Sequence, residues 1–240
     1  MEERFNKAFK QYLKVLKKVD GVIIQTQSEK DYYIYETENV YVINNPVMKD
    51  LPERFTGERN KKILNFCRVS PAKNLELLLE AFSIFHIEYP GYTLEIYGNI
   101  SGKREREHLP KIERKVQELH LEDCAFILPP CADVHEKVLS SAMFVSSSNY
   151  EGLSNSMLEA MSIGLPCICT DCLGGGTREV MVDHENGLIV PMNDPEAMYR
   201  AMKEFVDNPE LAEKCSRNAA KIRDKLSVEK IAQQWLDVIR

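Results

Sequence analysis

Ala142-Met143-Phe144-Val145-Ser146, followed closely by Asn149-Tyr150-Glu151-Gly152-Leu153-Ser154-Asn155-Ser156-Met157-Leu158-Glu159-Ala160-Met161, decides how this chain folds. The first run reads as a buried strand and the second as a tight loop entering a helix. Another buried strand begins near Gly164-Leu165-Pro166. A strand, a loop and then a helix form the junction at which α/β folds hold anionic ligands. Gly152 lets the backbone approach a ligand closely, and Ser154 or Asn155 can cap the helix. The first-turn N–H groups then face the cleft with the positive end of the helix dipole behind them. Leu153, Met157 and Met161 fall at i, i+4 and i+8, so that stripe packs on the sheet. Glu151 precedes the helix, and Glu159 lies on the flank of the stripe toward the cleft mouth. A helix N-terminus with two carboxylates beside it suits a ligand bearing both negative charge and hydroxyls.

Outward from this stretch, short apolar strands alternate with helices. The expected strands are 63–67, 93–97, 125–128, 143–146, 167–170 and 188–190. The helices between them are expected at 75–89, 104–120, 134–140, 155–163 and 195–206, with two more near 211–225 and 228–239. Short apolar strands separated by helices mean a parallel sheet covered on both faces, an α/β doubly wound Rossmann-like domain. Before it, residues 2–18 have an amphipathic helical pattern, Val22–Thr26 and Val40–Ile43 read as strands, and the tyrosine-rich segment between them as helix. Asn44-Asn45-Pro46-Val47 ends the second strand, and the polar stretch up to Lys62 reads as a connection.

A chain of 240 residues can bury a real core, and 44% hydrophobic with 28% charged residues is ordinary for a soluble enzyme. A formal charge of −6 argues against nucleic acid as the main partner. No signal peptide or apolar run of about 20 residues is visible. Seven cysteines, an odd number, read as reduced cytosolic thiols. Cys167, Cys169 and Cys172 are close enough to raise a metal site, but Pro166-Cys167-Ile168-Cys169-Thr170 reads better as a buried strand in which cysteine is a small hydrophobe. The five histidines, His135 among them, lack a partner at catalytic spacing and read as surface or packing residues.

Glu151, seven residues and then Glu159, set in Tyr-Glu-Gly-Leu-Ser-Asn-Ser-Met-Leu-Glu-Ala-Met-Ser-Ile-Gly-Leu-Pro, resembles the motif of family-4 (group 1) retaining glycosyltransferases of the GT-B fold. The resemblance covers almost the whole chain. Cys67-Arg68-Val69-Ser70-Pro71-Ala72-Lys73-Asn74-Leu75 is similar to the segment in which an arginine and a lysine hold the donor diphosphate, with Cys67 where the family usually has glycine. Phe126-Ile127-Leu128-Pro129-Pro130 resembles the strand and loop whose backbone reads the nucleobase. Gly174-Gly175-Gly176 with Glu179 resembles the glycine pair before a short helix lining the donor site, and Asn186–Pro191 the strand after it.

The resemblance implies the C-terminal, donor-binding half of a GT-B fold from residue 45 onward. Residues 1–44 would be a remnant of a preceding domain and its connector, and would self-associate or pack elsewhere once parted from their sheet. The partners implied are a nucleotide-diphosphate sugar, UDP- or GDP-linked, and a saccharide or lipid-linked acceptor held by the other domain. Arg68, Lys73 and the amides of Gly152, Leu153 and Ser154 would hold the diphosphate, Glu151 the sugar hydroxyls, Glu159 the ribose, and Ile127 and Leu128 the base. Transfer would retain configuration by front-face attack, the leaving phosphate taking the acceptor's proton. No cofactor or metal is implied, and no Asp-x-Asp motif is present to hold one. The expected location is the cytoplasm, at the inner face of the membrane in a full-length enzyme, and this chain alone would be inactive. A nucleotide-sugar epimerase, a phosphorylase-like enzyme, or a non-catalytic nucleotide-binding module remain the alternatives.

Overall fold

The structure is a computed structural model that describes residues 14–16, 18–33 and 39–239. Among the described residues the first strands form a two-stranded parallel sheet, β1 (Val22–Ile24) on β2 (Val40–Val42), with α1 (Gln27–Tyr33) between them. The main domain follows in strict alternation. Its elements are β3 (Lys62–Arg68), α2 (Leu75–Glu88), β4 (Thr93–Asn99), α3 (Lys103–Glu118), β5 (Ala125–Leu128), α4 (Val134–Val138), β6 (Met143–Ser146), α5 (Asn155–Ser162), β7 (Cys167–Thr170), α6 (Gly176–Val180) and β8 (Leu188–Val190). Helices α7 (Pro195–Asp207), α8 (Pro209–Ala220), α9 (Ile222–Lys225) and α10 (Val228–Ile239) complete it. The six strands are all parallel, in the order β5-β4-β3-β6-β7-β8.

Alternation along each strand divides the core in two. Ile63, Met143, Val145 and Ile168 face one cluster, closed by Leu78, Phe82 and Phe85 of α2 and by Met198 and Met202 of α7. Leu64, Phe66, Phe144, Cys167 and Cys169 face the other, closed by Met157 and Met161 of α5 and Ile222 of α9. A sheet covered on both faces needs apolar residues at every position, which explains why β6 and β7 read as continuous runs. The doubly wound reading therefore holds. Burial raises the thiol pKa of both Cys167 and Cys169 and leaves them as packing groups.

One expectation is corrected. The helix expected over 211–225 is two helices, α8 and α9. The Lys221 N–H bonds back to Asn218 O at 3.3 Å, one residue short of an α-helical bond, and this tightened turn breaks the rod. The stretch up to Lys62 is, as expected, a connection without helix or strand, and it is packed down, with Val47 and Leu51 buried in the second cluster. Val22–Ile24 finds its pair within the chain, and Leu16 is buried, while the rest of the amphipathic pattern before Lys14 lies outside the described residues. Among the described residues no helix is long and apolar enough to cross a membrane.

At the N-terminal edge of the sheet, the Arg59 guanidinium donates to Ser141 O at 2.9 Å and Gly164 O at 2.7 Å, tying together the entries to β6 and β7. Burial lowers its pKa to about 10, so it stays charged at neutral pH. Because hydrogen bonds from a charged donor are the strong ones, Arg59→Met is expected to cost about 3 kcal/mol. A lower urea midpoint at unchanged slope would register it, and an unmoved midpoint would contradict this role.

Candidate functional site

Strand order reverses between β3 and β6, and there the C-terminal ends of the strands open into a cleft of about 490 Å³. From the β3 side come Arg68, at the strand end, and Lys73, at the end of a 3-10 turn (Pro71–Lys73). Asn74 follows in the left-handed region, φ 46°, and turns the chain sharply into α2. From the β6 side come Glu151, Leu153, Ser154 and, one turn into α5, Glu159. Pro130 and Cys131, just past β5, and Tyr97 and Asn99 at the end of β4 make the far wall.

Lys73 and Glu151 form an ion pair across the cleft floor, with side chains 12% and 19% exposed. The Ser148 hydroxyl donates to the same carboxylate oxygen at 3.1 Å. Arg68 is exposed and bonds to no other side chain among the described residues, so it is the cation available to an incoming anion. Glu159 is held on the other flank by His135, whose Nε2 lies 3.0 Å from one carboxylate oxygen. Cys67 lines the floor, and burial pushes its thiol up to about 12. Two cations and two carboxylates therefore share one crevice.

The loop that carries Glu151 is fastened from both sides. Glu151 N–H donates to Leu173 O at 2.9 Å, and Asn149 N–H to Ala72 O at 2.9 Å. Gly174, at φ +96°, lies against the Glu151 carbonyl, and a Cβ on Gly176 would overlap the Gly152 carbonyl. The glycine run thus serves close backbone contact between the loops after β6 and β7. Neither Ser154 nor Asn155 caps α5, contrary to expectation. Ser154 Oγ turns to Ser156 Oγ at 3.2 Å, and Asn155 Oδ1 accepts from Asn45 at 2.9 Å. Among the described residues no protein acceptor takes the N–H groups of Ser154, Asn155, Ser156 or Met157, so the helix presents its amides to the cleft.

Of the residues singled out in the sequence, Arg68, Lys73, Glu151, Leu153, Ser154 and Glu159 line this cleft together. Gly152, Ile127 and Leu128 are not in its lining. Gly152 packs under the glycine run, Ile127 leans on the first core cluster, and Leu128 ends β5 just before the wall formed by Pro130 and Cys131. The Leu153 N–H is taken by the Gln25 side chain at 3.1 Å. Glu179 turns away and accepts from the Gln27 N–H at 2.9 Å, at the head of α1. Sequence reading missed His135, Tyr97 and Asn99. The one available signal was position, and only for Tyr97 and Asn99, which lie at the C-terminal end of β4, whereas His135 lies within α4. Among the described residues no group of three or more His, Cys, Asp or Glu is placed to hold a metal ion.

An open parallel sheet with its crevice at the strand-order switch, cations on one lip and a bare helix N-terminus on the other, defines a class of proteins that bind anionic ligands at the C-terminal edge. Residues 49–222 match the family model of the group 1 glycosyl transferases, and the chain belongs to that family. An uncharacterized glycosyltransferase of Haemophilus influenzae is 28% identical over 222 residues, covering 92% of this chain and 61% of its own length. The poly(ribitol-phosphate) alpha-N-acetylglucosaminyltransferase of Staphylococcus aureus is 26% identical over 238 residues, covering 98% of this chain and 46% of that one. The crystal structure of a variant of S. aureus TarM in complex with fondaparinux, alpha-GlcNAc-glycerol and UDP superposes with a TM-score of 0.84 at 24% identity, over 96% of this chain and 46% of that chain. The chain spans between about half and three fifths of the length of these relatives, and the TarM likeness bears on fold alone.

The half-buried Lys73–Glu151 pair links two loops far apart in sequence. A double-mutant cycle with Lys73→Met and Glu151→Gln is expected to return a coupling energy of about 1–3 kcal/mol. Additive effects on thermal stability would show that the two side chains do not depend on each other.

Proposed function

We propose that this chain is the donor-binding half of a glycosyltransferase that moves a sugar from a UDP- or GDP-linked donor to a saccharide or lipid-linked acceptor, with retention of configuration. The observation that carries this reading is the meeting of Arg68, Lys73, the open end of α5 and two carboxylates in one cleft. Membership of the group 1 family and the likeness to the poly(ribitol-phosphate) alpha-N-acetylglucosaminyltransferase of S. aureus support it.

The diphosphate lies against Arg68, Lys73 and the α5 amides, which stabilise the charge that gathers on it as the glycosidic bond breaks. Glu151 accepts from hydroxyls of the donor sugar, and Glu159 from the ribose. The bond between the anomeric carbon and the phosphate oxygen breaks while the acceptor oxygen bonds that carbon on the same face. The acceptor's proton passes to the departing phosphate, so no side chain serves as a nucleophile. Before donor arrives, Glu151 occupies Lys73. A phosphate group must compete for that lysine, and its success releases the carboxylate to the sugar.

Residues 1–44 belong with a preceding domain that holds the acceptor, and the donor domain runs from residue 45. Without that domain nothing orients an acceptor, so the chain alone transfers no sugar. The seven free cysteines support a cytoplasmic location.

Titration calorimetry with UDP and GDP tests the reading. One of them is expected to bind, and Glu159→Ala to weaken it by about 1–3 kcal/mol, the cost of leaving hydroxyls unpaired. Glu151→Gln, which releases Lys73, is expected to tighten the bare nucleotide and weaken the nucleotide-sugar. No heat from either nucleotide at millimolar concentration would overturn the assignment.

A further inference from the structure

The carboxylate assigned to the ribose is not held by its own helix. Glu159 sits on α5 between the buried Met157 and Met161, and its side chain is 20% exposed at the cleft edge. One oxygen, Oε2, is engaged by His135 Nε2 at 3.0 Å. The other, Oε1, meets no protein donor among the described residues. His135 itself does not line the cleft. It stands on α4 behind the wall, 15% exposed, with its ring edge-on to Phe66 at a centroid distance of 5.7 Å and an interplanar angle of 88°. Phe66 is buried and packs in turn on Phe144, centroids 5.0 Å apart. The imidazole is thus held against Phe66, which Phe144 of the adjacent strand backs in turn, and it pins one oxygen of a carboxylate whose other oxygen is left for a ligand.

A free glutamate samples several rotamers, and ordering it costs entropy that a ligand's hydroxyls would have to offset. A carboxylate held in place beforehand accepts from a hydroxyl pair without that loss. We infer that His135 is a positioning residue that sets the preference of this site for ribose over deoxyribose, by holding Glu159 in the orientation that accepts from the ribose hydroxyls. The inference rests on the nucleotide reading above and goes beyond it, because it assigns sugar selectivity to a side chain that touches no ligand.

The test compares affinities for the ribo and 2′-deoxyribo forms of whichever of UDP and GDP binds more tightly. The 240-residue chain is expected to favour the ribonucleotide by roughly tenfold or more. In His135→Phe, which keeps the ring against Phe66 but has no N–H, the ratio is expected to fall to within about threefold of unity. His135→Gln, which returns an N–H donor on a side chain of similar reach, should recover most of the preference. Should His135→Phe fail to fold, as judged by its thermal transition, His135→Ala is measured in the same way and carries the same expectation. A wild-type ratio retained in His135→Phe or His135→Ala would overturn the inference and leave the nucleotide reading standing. A wild-type chain that binds both forms equally would remove the ribose role of Glu159, and with it the inference. A wild-type chain that binds neither form would instead overturn the nucleotide reading itself.

Discussion

Strand β6 pairs with β3 instead of extending the sheet beyond β5, and the site follows from that placement. When consecutive parallel strands are laid down in one direction and the chain then returns to the other side of the first, the two connections leaving that point diverge and open a crevice. Here the diverging connections are the turn after β3 and the loop after β6. Lys73 and Glu151 are 78 residues apart in sequence and touch only because these strands are neighbours. The cations arrive on one connection and the carboxylates on the other, so charge complementarity across the cleft is a product of topology.

The two core clusters hold this arrangement rigid at both faces while leaving the strand ends free to carry polar groups. The loop after β6 would otherwise be mobile, yet it is bound to its surroundings mainly through backbone. Thr170 Oγ1 donates to Ser148 O, Ser147 Oγ to Lys73 O, and the glycine run after β7 lies directly on the Glu151–Gly152 peptide. This fastening holds the loop still while, among the described residues, the N–H groups of Ser154, Asn155, Ser156 and Met157 are left without a protein acceptor, which a site for anions requires. The lack of a side-chain cap on α5 belongs to the same design, since a capping oxygen would occupy the N–H groups that face the cleft. The β1–α1–β2 unit reaches in as well. Gln25 bridges Asn45 and the Leu153 amide, and Thr26 reaches Gly174, so the segment preceding the main domain is in register with the donor loop.

Much of this was legible in the sequence because its causes are local. Strands β6 and β7 are apolar at nearly every position and can only be buried on both faces, and α2 and α7 carry their apolar stripes at helical spacing. Glu151 and Glu159 could be singled out because they flank the helix start after a buried strand, where such folds place ligands, and Arg68 and Lys73 through the resemblance to the segment that holds the donor diphosphate, at a strand end and a helix start. What escaped notice depends on tertiary contact. The break at Lys221 has no glycine or proline to announce it. Gly152 read as a ligand-facing glycine, but its function is set by Gly176, which only the fold brings near. His135 lies 24 residues from Glu159 on a helix of five residues, too short for any periodicity to reveal which way it faces. Glu179, in a segment that resembles a donor-site lining, is claimed by α1 because the Gln27 amide needs an acceptor.

A crystal structure of the chain with UDP or GDP soaked in tests the central claim most directly. The account predicts a diphosphate against Arg68 and the first turn of α5, Lys73 drawn from Glu151 onto a phosphate oxygen, and the ribose within hydrogen-bond reach of Glu159. A nucleotide bound elsewhere, with the Lys73–Glu151 pair undisturbed, would contradict it.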